Sequence, residues 1–327
     1  MKIAIEFFGH YRTFEQCADN IIENLINPIK KDNEVDIFIH TWNETDSSSA
    51  VWHNLNGVKR GTELREENIS FLKEKLTPKK IMITPQVFIS EDEYKAAEKR
   101  GHSSRGYYSA LKNSTYSRMQ VNNLKNEYEK ENNIKYDLVI QTRLDVFYMK
   151  DVYFLQVANL PDINNKLFYA WTGVQDYYFN YPLYGPGATD ILYFGTSDVI
   201  DKFSNLYNKI ENIDFAKEKV IAIEPLLFKN IESQNIIPIS FNFYIHRDCI
   251  LLRTNEVRKH LKQITNYKKA YKNVIFSLLK LSLYASLLII LIFFDKKLKR
   301  RYKYMTKIQK YYNKYFSEIP LIPSDML

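Results

Sequence analysis

The sequence predicts an α/β fold, a mostly parallel sheet with helices on both faces, followed by a hydrophobic and basic helical tail. Short apolar runs alternate with longer helical stretches, the order that builds βαβ units. Those runs are almost continuously apolar, as strands buried on both faces are. Past residue 252 the composition changes, which sets a body at 1–252 and a tail at 253–327.

Residues 3–8 are a buried-strand pattern closed by Gly9, and 13–25 read as a helix. A second strand, 35–40, leads into a polar, serine-rich loop at 43–49, and 79–83 is a third strand stopped by Pro85. Residues 107–131 are rich in helix formers and hold no Gly or Pro. The apolar strand at 136–142 delivers Arg143-Leu144-Asp145 at its end. Downstream come Gly/Pro turns at 184–187, a strand at 191–194, helices at 197–211 and 224–234, and strands at 236–243 and 250–252.

A chain of 327 residues with 45% hydrophobic content can bury a sizeable core. Its net charge of +8 divides unevenly: 253–327 carries 17 basic and 4 acidic residues, net +13, against −5 for the body. A mildly acidic body excludes a nucleic-acid-binding surface there, and a basic tail fits an anionic membrane surface. Cys17 and Cys249 stand far apart without metal-ligand spacing, which fits a reducing compartment. The N-terminus begins a strand rather than a signal peptide, so the body is expected in the cytoplasm. Phosphate-binding P-loop, dinucleotide GxGxxG, GxSxG and HExxH patterns are all missing.

Residues 274–294 are hydrophobic with Lys280 as the only charge, and basic clusters lie on both sides. A span would carry the stronger downstream cluster to the far side, against the positive-inside tendency. An interfacial helix at the cytoplasmic face of the inner membrane, peripheral or monotopic, satisfies both charge clusters.

Ligands of open α/β sheets bind at the carboxyl ends of the strands. Three such ends carry polar groups that packing alone does not require: Gly9-His10-Tyr11-Arg12, His40-Thr41-Trp42 and Arg143-Leu144-Asp145. Arg12 could clamp a phosphate through its planar fork. Tyr11 and Trp42 could flank a nucleobase, although packing is the commoner role of such aromatics. Asp145 is expected exposed at the sheet edge, where a carboxylate suits a hard divalent cation, Mg²⁺ or Mn²⁺. His246 is a candidate for a late metal or phosphate ligand.

The succession FFGHYRTF at 7–14, VDIFIHTW at 35–42, a long helix, and YDLVIQTRLDVFY at 136–148 resembles bacterial lipopolysaccharide-core and capsule glycosyltransferases, the WavE-like group. The resemblance covers about 1–252. It implies a GT-A-like, Rossmann-type sheet, with a nucleotide-binding half at 1–150 and an acceptor half at 151–252. It also implies a nucleotide-sugar donor, held by Gly9, His10, Tyr11, Arg12, His40, Trp42, Arg143 and Asp145, and a glycan or glycolipid acceptor. The usual Asp-x-Asp appears as Arg143-Leu144-Asp145, with the last carboxylate alone kept. GT-A enzymes often place an acid at a helix N-terminus, and Glu224, just before Pro225, matches that place as general base. Asp190 is the second catalytic candidate. Transfer of a phosphoryl-linked group onto a glycan, and a non-catalytic membrane-bound assembly component, are the alternatives.

Overall fold

The computed structural model describes residues 1–46, 62–152, 163–171, 190–218, 223–244 and 248–252. The expected tail, the turns at 184–187 and His246 lie outside them, as does the side chain of Glu224.

Nine strands appear among the described residues: β1 (Lys2–Phe8), β2 (Glu34–Trp42), β3 (Lys80–Thr84), β4 (Leu138–Arg143), β5 (Val146–Tyr148), β6 (Lys166–Trp171), β7 (Tyr193–Gly195), β8 (Ile237–Tyr244) and β9 (Cys249–Leu251). Seven of them form one sheet in the order β3-β2-β1-β4-β7-β6-β8. All neighbours pair parallel except β7, which runs antiparallel to both β4 and β6. This mixed, mostly parallel α/β sheet is the predicted fold class and is consistent with a GT-A-like arrangement.

Side chains alternate across a strand, so Ile3, Ile5 and Phe7 of β1 share one face and Ala4, Glu6 and Phe8 the other. All six are buried, so both faces are covered. The helices that matter most are α1 (Phe14–Ile21), α2 (Glu66–Leu76), α3 (Glu91–Lys99), α4 (Arg105–Asn132), α5 (Ser197–Ser204) and α6 (Ile223–Glu232). The α4 helix crosses β1, β2 and β3. It starts where the Ser104 hydroxyl accepts from Tyr107 N–H at 3.4 Å, and it stops at Asn133 in the left-handed region, φ 49°. Its Leu111, Val121 and Leu124 join Ala4, Phe8, Phe38 and Val139 in one core.

Charged residues are buried on α4 as well. Arg118 lies 3.9 Å over the Phe8 ring and donates to Gln141 Oε1 at 3.3 Å. Lys125, fully buried, meets Asp201 at 2.9 Å, Glu129 at 3.3 Å and the Ser197 hydroxyl. These bonds tie α4 to the first turns of α5.

Where the structure departs from expectation, the causes are local. The helix expected over 13–25 is longer and broken in character: α1 passes into a π-helical turn at Ile22–Ile26 and a last segment at Asn27–Lys30. Pro28 has no N–H to donate and its ring crowds the preceding turn; the wider π turn accommodates both. The helix expected over 197–211 is α5 followed by a 3₁₀ stretch at Asn205–Asn212. Asp190 precedes β7 rather than beginning it. Among the described residues no helix is long and apolar enough to cross a membrane.

Candidate functional site

The strands run outward from β1 in two directions, β2 and β3 to one side and β4 to the other. The strand order thus changes direction at β1 and β4, the place where open α/β sheets bind ligands beyond the carboxyl ends of their strands. Residues 9–12 and 143–145 lie at those two strand ends.

Gly9 leaves β1 with φ 95°, a backbone region that favours glycine, and its N–H donates to Ser117 Oγ at 2.8 Å. Arg12 is also left-handed, φ 44°, and its N–H is held by the Thr45 carbonyl at 2.9 Å. A non-glycine residue there costs on the order of 1 kcal/mol. This turn aims the Arg12 side chain at the β4 end.

Arg12 Nε donates to Asp46 Oδ1 at 3.1 Å and its Nη1 to Asp145 Oδ2 at 3.0 Å. Arg143 grips the same carboxylate with two bonds, Nε to Oδ1 at 2.9 Å and Nη2 to Oδ2 at 2.8 Å. Its Nη1 donates to Asp190 Oδ2 at 3.0 Å. The result is a chain of alternating charge, Asp46, Arg12, Asp145, Arg143 and Asp190. Burial disfavours the charge on Arg143, but Asp145 and Asp190 outweigh it and raise its pKa.

Asp145 corrects an expectation: it is not exposed at the sheet edge but fully buried. The last described strand is the reason. β9 pairs antiparallel with β5, Leu252 N–H donates to the Asp145 carbonyl at 2.9 Å, and the Thr13 hydroxyl donates to the Leu252 carbonyl. This folds the loop after β4 inward, where a carboxylate is tolerable because two guanidinium groups meet it.

The aromatic candidates form a floor. Trp42 is 1% exposed, stacked on Tyr116 at 5.8 Å and edge-on to His40 at 4.9 Å. His40 bonds Ser117 Oγ through Nδ1 at 2.7 Å and Thr84 Oγ1 through Nε2 at 3.0 Å. Burial pushes its pKa down to about 3, so it is the neutral imidazole, with a single ring N–H, at ordinary pH. Tyr11 turns toward α1, where its hydroxyl meets Glu15 Oε1 at 3.1 Å. His10 lies 6.0 Å from Trp42 and bonds the Gln86 amide; burial and then Arg12 hold its pKa well below the usual value.

Of the sequence candidates, then, Arg12, Arg143, Asp145 and Asp190 are brought into one bonded cluster, while Gly9 and His10 precede Arg12 on the turn after β1. His40, Trp42 and Tyr11 are packed behind. Asp190 Oδ2 must give up Arg143 before it can take a proton. Asp46, Gln86 and Ser117 belong to the site although the sequence reading passed over them. Asp46 sits in the segment read as a polar loop, and no local pattern marks it.

A divalent cation was expected on Asp145, with His246 as a further ligand. The described donor set does not fit one: both Asp145 oxygens already accept guanidinium N–H groups. Among the described residues no group of three His, Cys, Asp or Glu is placed to hold a metal. Cys17 and Cys249 are both free and buried, and burial pushes the Cys17 thiol up to about 12.

No protein-family model matches the chain. No curated protein matches it in sequence. Among solved structures, the apo form of mouse xyloside xylosyltransferase 1 is similar over 74% of this chain and 85% of that one, at 11% identity and a TM-score of 0.37. A likeness this loose carries no argument about the chemistry of this chain.

Proposed function

We propose that this chain is a glycosyltransferase that moves a sugar from a nucleotide-sugar donor to a lipid-linked surface glycan, lipooligosaccharide or capsule, at the cytoplasmic face of the inner membrane. The observation that carries the reading is the Arg12–Asp145–Arg143 cluster at the carboxyl ends of β1 and β4. Two guanidinium forks at the carboxyl edge of a parallel sheet suit a diphosphate. The motif order shared with lipopolysaccharide-core and capsule enzymes points the same way. In this reading Arg12, Arg143 and the Gly9–Arg12 backbone take the donor. Glu224, or Asp190 once released by Arg143, takes the proton of the acceptor hydroxyl.

Thermal-shift screening of the full-length protein against nucleotide sugars tests it. A true donor at about one hundred times its Kd stabilises by roughly 2.7 kcal/mol, and the same compound should donate its sugar to a lipid-linked glycan. If no nucleotide sugar shifts the melting temperature, the reading is wrong.

The membrane proposal rests on the tail sequence, with its net +13 and the apolar run at 274–294. Each basic residue near an anionic leaflet contributes about 1 kcal/mol, and salt screens only that part. Full-length protein should sediment with anionic liposomes, and high salt should weaken the association without abolishing it. Indifference to liposomes would remove the membrane from the proposal.

A further inference from the structure

The third residue of an Asp-x-Asp motif ordinarily brings one carboxylate to a metal, and here its surroundings are those of an anion already matched by cations. Asp145 is completely buried and receives three guanidinium N–H bonds, at 2.8, 2.9 and 3.0 Å. The first position of the motif, where a second carboxylate would stand, is Arg143 itself. A dication on Asp145 would lie within a few ångströms of two fixed positive charges. Each of those charges repels a dication twice as strongly as a monovalent cation at the same distance. Mg²⁺ and Mn²⁺ favour shells of oxygen ligands, and Asp145 has neither oxygen unengaged.

The arginines have what a diphosphate needs. Arg12 Nη2 donates to no acceptor among the described residues, since its bonds leave from Nε and Nη1. The outer partners, Asp46 and Asp190, have side chains 10% and 29% exposed. They hold Arg12 Nε and Arg143 Nη1, the bonds an arriving phosphate would exchange with. Asp145 lies beneath both guanidinium groups and keeps their planes fixed during that exchange. The left-handed backbone of Arg12 serves the same end, because it turns one fork toward the carboxylate that the other holds.

We propose that Arg12 and Arg143, rather than a divalent cation, neutralise the donor's diphosphate, with Asp145 as the positioning carboxylate under both. The inference rests on the nucleotide-sugar reading and deepens it: the substrate is a nucleoside diphosphate sugar whose leaving group departs onto two guanidinium forks. No bond is made to the protein. The sugar–oxygen bond breaks with its electron pair on the diphosphate, the acceptor oxygen forms the new bond, and the acceptor's proton goes to the general base.

Calorimetric titration of the full-length protein with uridine, guanosine and cytidine diphosphates, in EDTA and in Mn²⁺, tests the proposal without relying on any variant. The affinity of whichever diphosphate binds should agree within about twofold between the two conditions. Asp46→Asn should tighten that binding severalfold, because it removes a competing anion; were Asp46 serving a metal, it would weaken it. Arg12→Lys and Arg143→Lys should each weaken diphosphate binding about tenfold or more, because an ammonium lacks the fork, while leaving affinity for the unphosphorylated nucleoside unchanged. A loss of tenfold or more in EDTA overturns the cation-free site and leaves glycosyl transfer standing. Failure of every diphosphate to bind under both conditions overturns the two readings together.

Discussion

Asp145→Ala should cost about 3–5 kcal/mol of folding stability and remove donor binding. The substitution deletes the acceptor of three charge-assisted bonds and leaves Arg12 and Arg143, with side chains 11% and 8% exposed, facing one another without their shared counter-charge. Breaking one side of a buried ion pair has that magnitude because the remaining charge stays desolvated. A carboxylate on an exposed strand end would instead be almost silent in stability, within about half a kcal/mol. The urea midpoint of the full-length variant separates the two. Asp145→Asn retains one good acceptor and should fall between wild type and alanine. A loss below about 1 kcal/mol with donor binding intact would show that Asp145 is not the keystone of the cluster.

That outcome turns on something the sequence does not display. The strand 138–143 was legible from its apolar start at Leu138, Val139 and Ile140, and β1 and β2 from the apolar residues at their centres. The burial of Asp145 depends on Arg12, 133 positions away, and on Leu252, which closes over it from β9. Partners at that separation leave no periodicity. The same holds for α4. Lys112, Arg118, Lys125 and Glu129 carry no sign of burial in the sequence, yet all four are buried, with partners from distant segments: Glu93 and Glu211 for Lys112, Gln141 for Arg118, and Asp201 for Lys125. Other omissions were local and readable. Ser90 followed three residues on by Glu93 is a helix-start signature, and Ser90 Oγ does accept from Glu93 N–H at 3.1 Å to open α3. The reversal of β7 carries no signal of its own, since a three-residue strand pairs equally well in either direction.

The buried polar layer beneath α4 predicts an unusual pH dependence of stability. Glu6 points from β1 into that layer, fully buried, with Oε2 accepting from Gln141 Nε2 at 2.6 Å and Oε1 without a partner. Burial pushes its carboxyl up to about 8, against the opposing pull of Lys125 and Gln141, with Asp201 and Glu129 adding to the rise. The unfolded chain gives up this proton near 4.5 and the folded protein near 8, so between those values the native state binds more protons. Stability attached to Glu6 is therefore complete below about 4.5 and is lost as pH rises through 8. His40 acts with the opposite sign: held down to about 3, it costs stability as pH falls below 6.5, and His10, also depressed, adds to that. From 4.5 to 6.5 the two histidines slope against Glu6, and from 6.5 to 8 Glu6 acts alone among these three. There the wild type should lose roughly 1 kcal/mol per pH unit relative to Glu6→Gln. Glutamine keeps the acceptor for Gln141 and has nothing to ionise, so its curve should stay flat across that interval. Denaturant midpoints of the two proteins, measured from pH 5 to 8.5, should therefore diverge steadily toward the alkaline end, by about 3 kcal/mol over the whole range. Curves that run parallel would mean that Glu6 is ionised in the folded protein, with Lys125 as its counter-charge.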